Sequence, residues 1–279
     1  MTGATGAVGG AVALELAGDG MPLRLLVRTP SRAPELPGAV VRACSYGDAS
    51  AAESALQGVD VLLMVSAAEN AERLGEHLTF VDAAAAAGVR HVVYTSFVGA
   101  APDAVFTLVR DHYATEQHIQ ASGMAFTFLR DNIYLDFMEL FAGPDRVLRG
   151  PADDGRAGMV ARADVARVAA AVLRSPDEHA GVTYTLTGPE ALTMTEAAAI
   201  LTAGRGRPFR FQNETLAEAY ASREQYNAPA WQVEAWVTTY TAIAAGQLDV
   251  VTDDVERVSG RRPTSLAEHV AANPPLFDG

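Results

Sequence analysis

The sequence predicts a doubly wound, Rossmann-type α/β fold: a parallel sheet flanked by helices, followed by a smaller, mainly helical C-terminal lobe. Three features carry this reading. Short apolar runs lack the in–out alternation of a half-exposed strand, as expected of strands covered on both faces. Those runs alternate with helix-length segments as far as residue 130, the rhythm of parallel strands joined by right-handed crossovers. A glycine-spaced loop opens the chain.

The elements follow in order. "GAVGGAVALELAGDG" opens on glycines and reads as a helix ending at Gly18 or Gly20. Residues 23–28 (LRLLVR) and 39–44 (AVVRAC) are strands, "SAAESALQGV" is a helix, and 60–66 (DVLLMVS) is a continuous apolar strand. "RLGEHLTFVDAAAAAG" is a helix closed by Gly88, 90–96 (RHVVYTS) a buried strand, "FTLVRDHYATEQHIQASG" a helix, and 125–130 (AFTFLR) a strand. Beyond Arg130 the rhythm loosens. "ARADVARVAAAVLRSP" is a helix, and "VTYTLTG" is a strand returning to the sheet. "LTMTEAAAILTAG", "TLAEAYASREQ", "PAWQVEAWVTTYTAIAAG" and a tail segment are helices, with "FRFQNE" the one strand among them. Trp231 and Trp236, five apart on different faces, supply at least one core residue. The expected division is a dinucleotide-binding domain over 1–130 with a return segment at about 160–188, and a substrate-side lobe from 131–159 and 189–279.

Composition narrows the function. A net charge of −13 opposes a nucleic-acid surface, which needs a basic face. One cysteine, Cys44, leaves no disulfide framework and no cysteine-based zinc site. The six histidines show no ligand spacing, so no metal is expected. No run approaches the roughly 18 apolar residues of a membrane span, and the expected location is the cytoplasm. All 21 basic residues are arginine; no lysine ammonium is available to any mechanism.

Gly3, Gly6 and Gly9 stand in G-x-x-G-x-x-G spacing before a helix. Such glycines permit a tight turn, close approach of backbone to a pyrophosphate, and tight packing of the following helix. The helix start then offers free N–H groups to the phosphates. The strand about twenty residues on ends in Arg28, where an NAD site would carry Asp or Glu for the ribose diol. Arg32 follows in the loop. Two guanidinium forks suit the 2′-phosphate, so NADP(H) is the expected cofactor.

"TGATGAVGG", "VRTPSR", "YGDASAAESALQGVDVLLMVS", "HVVYTSF", "DHYATEQHIQASGMAFTFLRDNIYLDF" and the C-terminal "WVTTYTAIAAGQLDVVTDDVERVSGRRPTSLAEHV" together resemble the NmrA-like atypical short-chain dehydrogenases, in particular their type 2 NAD(P)H:quinone oxidoreductase and triphenylmethane reductase group. The resemblance runs from Thr2 almost to the end. It implies that Gly3, Thr5, Gly6, Ala7 and Val8 line the pyrophosphate and that Arg28 and Arg32 meet the 2′-phosphate. Asp48 would lie beside the adenine, Ser66 and Ala67 along the ribose, and Thr95, Ser96 and Phe97 beside the nicotinamide. Members of the family begin with an apolar first strand, central in the sheet between strands 23–28 and 60–66, whereas only Met1 and Thr2 precede Gly3 here. The expectation is about four to six apolar residues upstream of Met1 in the functional polypeptide.

Short-chain dehydrogenases of the ordinary type lower a tyrosine pKa with a lysine four residues on; without lysine that device is absent. His112 and Glu116, four apart on one helix face, form the candidate acid: a histidine oriented by a carboxylate and able to donate a proton. An ordinary surface pair is the competing reading. "RDNIYLDFMELF" follows the last core strand, where the crevice of an open sheet lies. Asn132, Tyr134 and Phe137 are the expected substrate wall for a planar aromatic molecule, with Tyr134 also a candidate catalytic hydroxyl; helix core is the alternative for Phe137. The expected activity is NADPH-dependent hydride transfer to a quinone-like acceptor. A non-catalytic NADP(H)-binding redox sensor stands against it, and a sugar-nucleotide epimerase is a weaker third reading. A homodimer stays open as an alternative to a monomer.

Overall fold

The protein is described as a computed structural model covering residues 1–277. In chain order, the opening loop leads into α1 (Ala7–Gly18), β1 (Arg24–Val27), β2 (Val40–Ala43), α2 (Ala49–Leu56), β3 (Val61–Met64), α3 (Arg73–Ala86) and β4 (His91–Phe97). Next come α4 (Thr107–Ala121), β5 (Ala125–Asp131), α5 (Met138–Ala142), β6 (Val147–Gly150), β7 (Arg156–Ala157), α6 (Arg162–Arg174) and β8 (Val182–Leu186). The remainder is β9 (Leu192–Thr193), α7 (Met194–Arg205), β10 (Arg210–Asn213), α8 (Leu216–Arg223), α9 (Ala230–Ala244), α10 (Asp254–Ser259) and α11 (Leu266–Ala272).

The chain divides into two compact units. The first comprises Met1–Phe97, Asp111–Arg130 and Val165–Tyr184; the second comprises Val98–Arg110, Asp131–Asp164 and the chain from Thr185 on. Residues 98–110, expected with the nucleotide domain, therefore group with the second unit.

In the first unit β1 and β2 pair in parallel, as do β3 and β4, and the larger sheet runs β3-β4-β5-β8. Met1 and Thr2 fill the slot between β1 and β3. The Met1 amine donates to the Arg24 carbonyl at 2.7 Å, Leu26 N–H donates to Met1 O at 2.9 Å, and Thr2 N–H donates to Leu63 O at 2.9 Å. These three bonds link the facing edges of β1 and β3 through Met1 and Thr2. The sheet's apolar layer is built where the unbroken runs predicted it. Leu56, Leu62, Met64, Phe80, Val92, Tyr94, Ile119 and Phe128 are all buried in one cluster. At about 25 cal/mol per Å² of apolar surface, burying each such side chain contributes on the order of 1.5–3 kcal/mol.

The second unit uses stronger local signals. Thr193/Glu196, Thr215/Glu218 and Ser265/Glu268 each form a reciprocal capping box that starts α7, α8 and α11. Strand β6 pairs in parallel with β10, and β7 pairs antiparallel with β9. Helix α9 packs on β6 so closely that a Cβ on Gly150 would fall 2.3 Å from the Tyr240 ring. The buried Asp164 carboxylate accepts from Thr264 N–H at 2.6 Å and from its hydroxyl at 3.0 Å, holding the entry to α11. Strand β6 and helices α5 and α10 were not expected from the sequence, and neither tryptophan is fully buried.

Candidate cofactor site and its buried polar network

Gly3 occupies the left-handed region at φ +69°, and a Cβ there would lie 2.8 Å from Val65 Cβ. At Gly9 a Cβ would lie 2.4 Å from the Gly3 carbonyl oxygen. Both positions demand glycine, because the loop folds back on the first turn of α1. Gly6 is the N-cap and offers no side chain to the first-turn amides. Thr5, Gly6 and Ala7 are exposed, while the Val8 side chain is buried and anchors the turn. A loop tightened by glycine, ending in uncapped N–H groups at a helix start, fits a pyrophosphate.

At the end of β1, Arg28 is exposed, as is Arg32 in the following turn. Neither guanidinium has a hydrogen-bond or ion-pair partner among the described residues, in contrast to that of Arg24, which donates to the Ala55 and Gln57 carbonyls. Two unpaired guanidinium groups thus stand at the end of β1 and in the turn that follows it, of a chemistry that could hold a phosphate. Asp48 is exposed and serves as the N-cap of α2, accepting from Ala51 N–H at 3.0 Å.

Past β3 the chain is held by side chains. Tyr46 stacks on Phe80 at 4.3 Å between ring centroids, and its hydroxyl lies 2.5 Å from Thr2 Oγ1 and 2.6 Å from the Val65 carbonyl. Ser66 N–H donates to Thr95 Oγ1 at 2.8 Å, and Ala67 N–H donates to His77 Nε2 at 2.9 Å. The side chains of Thr95 and Ser96 are buried. Phe97 is half-buried, its ring 6.2 Å from that of His112.

The expected His112–Glu116 pair is not formed. The Ser96 hydroxyl donates to Glu116 Oε1 at 2.6 Å, and Arg130 grips both Glu116 oxygens, at 2.8 and 2.5 Å. His112 belongs to a different network: Arg73 Nη2 lies 2.8 Å from its Nε2, and Tyr94 Oη lies 2.9 Å from its Nδ1. A guanidinium can only donate, so Nε2 must accept and Nδ1 carries the proton. The same logic holds for His77, whose Nε2 accepts from Ala67 and whose Nδ1 therefore faces Thr115 Oγ1 at 3.0 Å as the donor. Burial, reinforced by Arg73 and then by His77, holds His112 well below the usual histidine range. Burial and Arg73 lower His77 to about 3. Both imidazoles are neutral at physiological pH, so His112 is no protonated acid there. Arg73, His77 and Tyr94 were missed in the sequence because their partners come from different elements; the four-residue Arg73–His77 spacing was the one local sign.

In the second unit, Asn132 is buried, with its amide donating to Leu248 O at 3.0 Å and its oxygen accepting from Ile133 N–H. It holds main chain rather than presenting a free polar handle. Tyr134 donates its hydroxyl to the Asp131 carboxylate. Burial and that negative charge raise its pKa well above the usual value, the opposite of the lysine effect. Phe137 is half-buried, with the Arg162 guanidinium over its ring at 5.0 Å and Tyr134 set edge-on to it at 5.7 Å. No metal-binding cluster and no helix long and apolar enough to cross a membrane occurs among the described residues.

The α/β sheet, glycine loop and uncapped helix start define a dinucleotide-binding protein. Comparison with known proteins agrees. Residues 3–176 match the family described as NAD(P)H-binding. Quinone oxidoreductase 2 of Escherichia coli is 33% identical over 97% of this chain and 96% of its own. An NAD(P)H azoreductase of Xenophilus azovorans is 30% identical over 99% and 98%. The NADPH complex of the Escherichia coli quinone oxidoreductase superposes with a TM-score of 0.88 at 34% identity, covering 97% of this chain and 98% of that one. Triphenylmethane reductase of Citrobacter with NADP(H) gives 0.86 at 29%, with coverage of 97% and 98%. The chain belongs to the NAD(P)H-binding family and is an NAD(P)H-dependent oxidoreductase.

Proposed function

We propose that the protein uses NADPH to reduce a quinone or a similarly planar, conjugated acceptor. The observation that carries this reading is the absence of a poised proton donor in the network around His112. The His112 ring is neutral, Tyr94 is fully buried against it, and Glu116 is committed to Ser96 and Arg130. An acceptor that spreads the incoming negative charge over a conjugated system suits such a site, because water can complete protonation afterwards. Bound NADPH would supply the hydride. The chain's own residues supply the rest: Gly3, Gly6 and the α1 amides for the pyrophosphate, and Arg28 and Arg32 for the 2′-phosphate. Thr95, Ser96 and Phe97 at the end of β4 form the floor beside the nicotinamide, kept rigid by the Ser96–Glu116–Arg130 chain.

The relatives support this reading through what their names state: one reduces quinones and another is an azoreductase. The test is NADPH oxidation followed by absorbance against a panel of benzoquinones, naphthoquinones and azo dyes. Turnover confined to conjugated acceptors supports the proposal. Silence across the panel, with NADPH binding intact, favours the redox-sensor reading suggested by the missing tyrosine–lysine pair.

A further inference from the structure

Three successive amides at the end of β3 are committed to side chains. Val65 N–H donates to Thr2 Oγ1 at 2.9 Å, Ser66 N–H to Thr95 Oγ1 at 2.8 Å and Ala67 N–H to His77 Nε2 at 2.9 Å. Two carbonyls are met in the same way: the Tyr46 hydroxyl lies 2.6 Å from Val65 O, and Arg73 Nε donates to Ala67 O at 3.1 Å. Side chains here replace the main-chain partners that a longer strand would have.

This segment flanks the crevice of the sheet. From Met1 and Thr2 the chain runs outward to β1 and β2, then returns to β3 on the other side. The topological switch therefore falls between the glycine loop and the end of β3, where open α/β sheets bind their ligands. Val65 packs directly on that loop, 2.8 Å from where a Gly3 Cβ would stand. With its three amides committed, the segment offers a dinucleotide no N–H. What it offers is a wall, and the position of that wall is what matters.

Ala67 is gripped on both sides by one helix. Arg73 and His77 stand four apart on α3, hence on one face, and take its carbonyl and its N–H. They are only 3% and 0% exposed, too deep to meet a ligand in the crevice. Burial and Arg73 keep His77 neutral, so its Nε2 stays an acceptor. Arg73 is fixed in turn by Asp111 at 3.1 Å and His112 at 2.8 Å.

We propose that Arg73 and His77 are positioning residues for NAD(P)H: clamping the Ala67 peptide from α3, they set the wall after β3 against the dinucleotide without touching it. The inference rests on the cofactor and not on the acceptor, so silence across an acceptor panel leaves it intact.

The test is titration of NADPH and NADH by fluorescence into the full chain, well below each variant's melting transition. His77→Leu fills the space but accepts nothing from Ala67 N–H. It should weaken both cofactors about three- to tenfold, the effect of one hydrogen bond. His77→Gln returns an acceptor near the Nε2 position and should recover most of that loss. Arg73→Lys keeps the charge, yet one ammonium cannot reach the Ala67 carbonyl, Asp111 and His112 together. It too should weaken both cofactors, and it decides alone where His77→Leu does not fold. Parallel losses identify a moved wall, because a lost contact to the 2′-phosphate would spare NADH. A merely structural role would lower the melting temperature and leave both Kd values unchanged. Parental affinity in folded His77→Leu or Arg73→Lys, or equal weakening by His77→Leu and His77→Gln, would overturn the assignment.

Discussion

Arg73 donates to His112 Nε2 across 2.8 Å, and that contact decides which nitrogen of the buried ring carries the proton. A cation facing one nitrogen and a buried phenol at the other leave the imidazole neutral, with its proton on Nδ1. The first prediction concerns pH and stability. His112 and His77 both have folded pKa values below their unfolded value of about 6.5. The unfolded chain therefore binds more protons between those limits, and stability rises with pH there. The contribution is complete above about pH 6.5 and is lost as pH falls toward about 3, where His77 titrates. Melting temperature should decline through pH 6 to 4, and His77→Gln should flatten that decline. An unchanged slope in the variant would mean that the imidazole is not buried as neutral.

The same geometry predicts the pH profile of reduction. With no imidazolium in the network, NADPH turnover should show no loss between pH 6 and 8 that follows a histidine. His112→Gln should lower turnover through misplacement of Phe97 and Tyr94, without shifting the profile. A fall in kcat above about pH 6.5 that the variant abolishes would restore His112 as the acid.

Glycine positions separate by what surrounds them. Gly3→Ala and Gly9→Ala should each cost about 1–3 kcal/mol and weaken NADPH at least tenfold, since one is strained and both meet atoms within 2.8 Å. Gly18→Ala, with nothing within 4 Å and no positive φ, should be neutral or stabilising by a few tenths of a kcal/mol. Denaturant titration with and without NADPH distinguishes these outcomes.

The glycine loop and the strand–helix alternation were legible because both are local. A spacing of three and a continuous apolar run such as VLLM need no knowledge of distant residues. The catalytic-pair expectation failed for a matching reason. Helical spacing places His112 and Glu116 on one face, but their partners are chosen by Arg73 on α3 and Arg130 on β5. A bidentate guanidinium outcompetes a neighbouring imidazole for a carboxylate. Likewise Asn132 reads as a polar handle in sequence, yet the main chain at Leu248, more than a hundred residues away, takes its donor. Four- to six-residue elements such as β6, α5 and α10 are too short for a period to show.

Glu116 gives a prediction that separates support from chemistry. Its side chain is 2% exposed and carries the Arg130 pair and the Ser96 bond. Glu116→Gln keeps the shape but removes the charge, leaving Arg130 partly buried without its counter-ion. The loss should be about 2–4 kcal/mol, below the full value for a completely buried pair because Arg130 is 28% exposed. Glu116→Gln with Arg130→Met should recover part of it, since both charges are then gone. Full additivity of the two single losses would show that the pair is not coupled.

The proposed preference for NADPH rests on two side chains that do no structural work. Arg28 and Arg32 are exposed and without protein partners, so Arg28→Glu and Arg32→Glu should leave the melting temperature within about a degree of the parent, as surface changes do. Their effect should appear on binding. A charge-assisted bond to a phosphate contributes about 1.5–3 kcal/mol, and reversal adds repulsion, so each change should weaken NADPH at least tenfold. NADH has no 2′-phosphate, and its affinity should hold or improve where the new carboxylate accepts from the ribose diol. Titrating both cofactors by fluorescence gives the ratio directly. If NADPH and NADH weaken in parallel, these arginines do not read the 2′-phosphate, and the preference must be sought elsewhere along the β1–α2 edge.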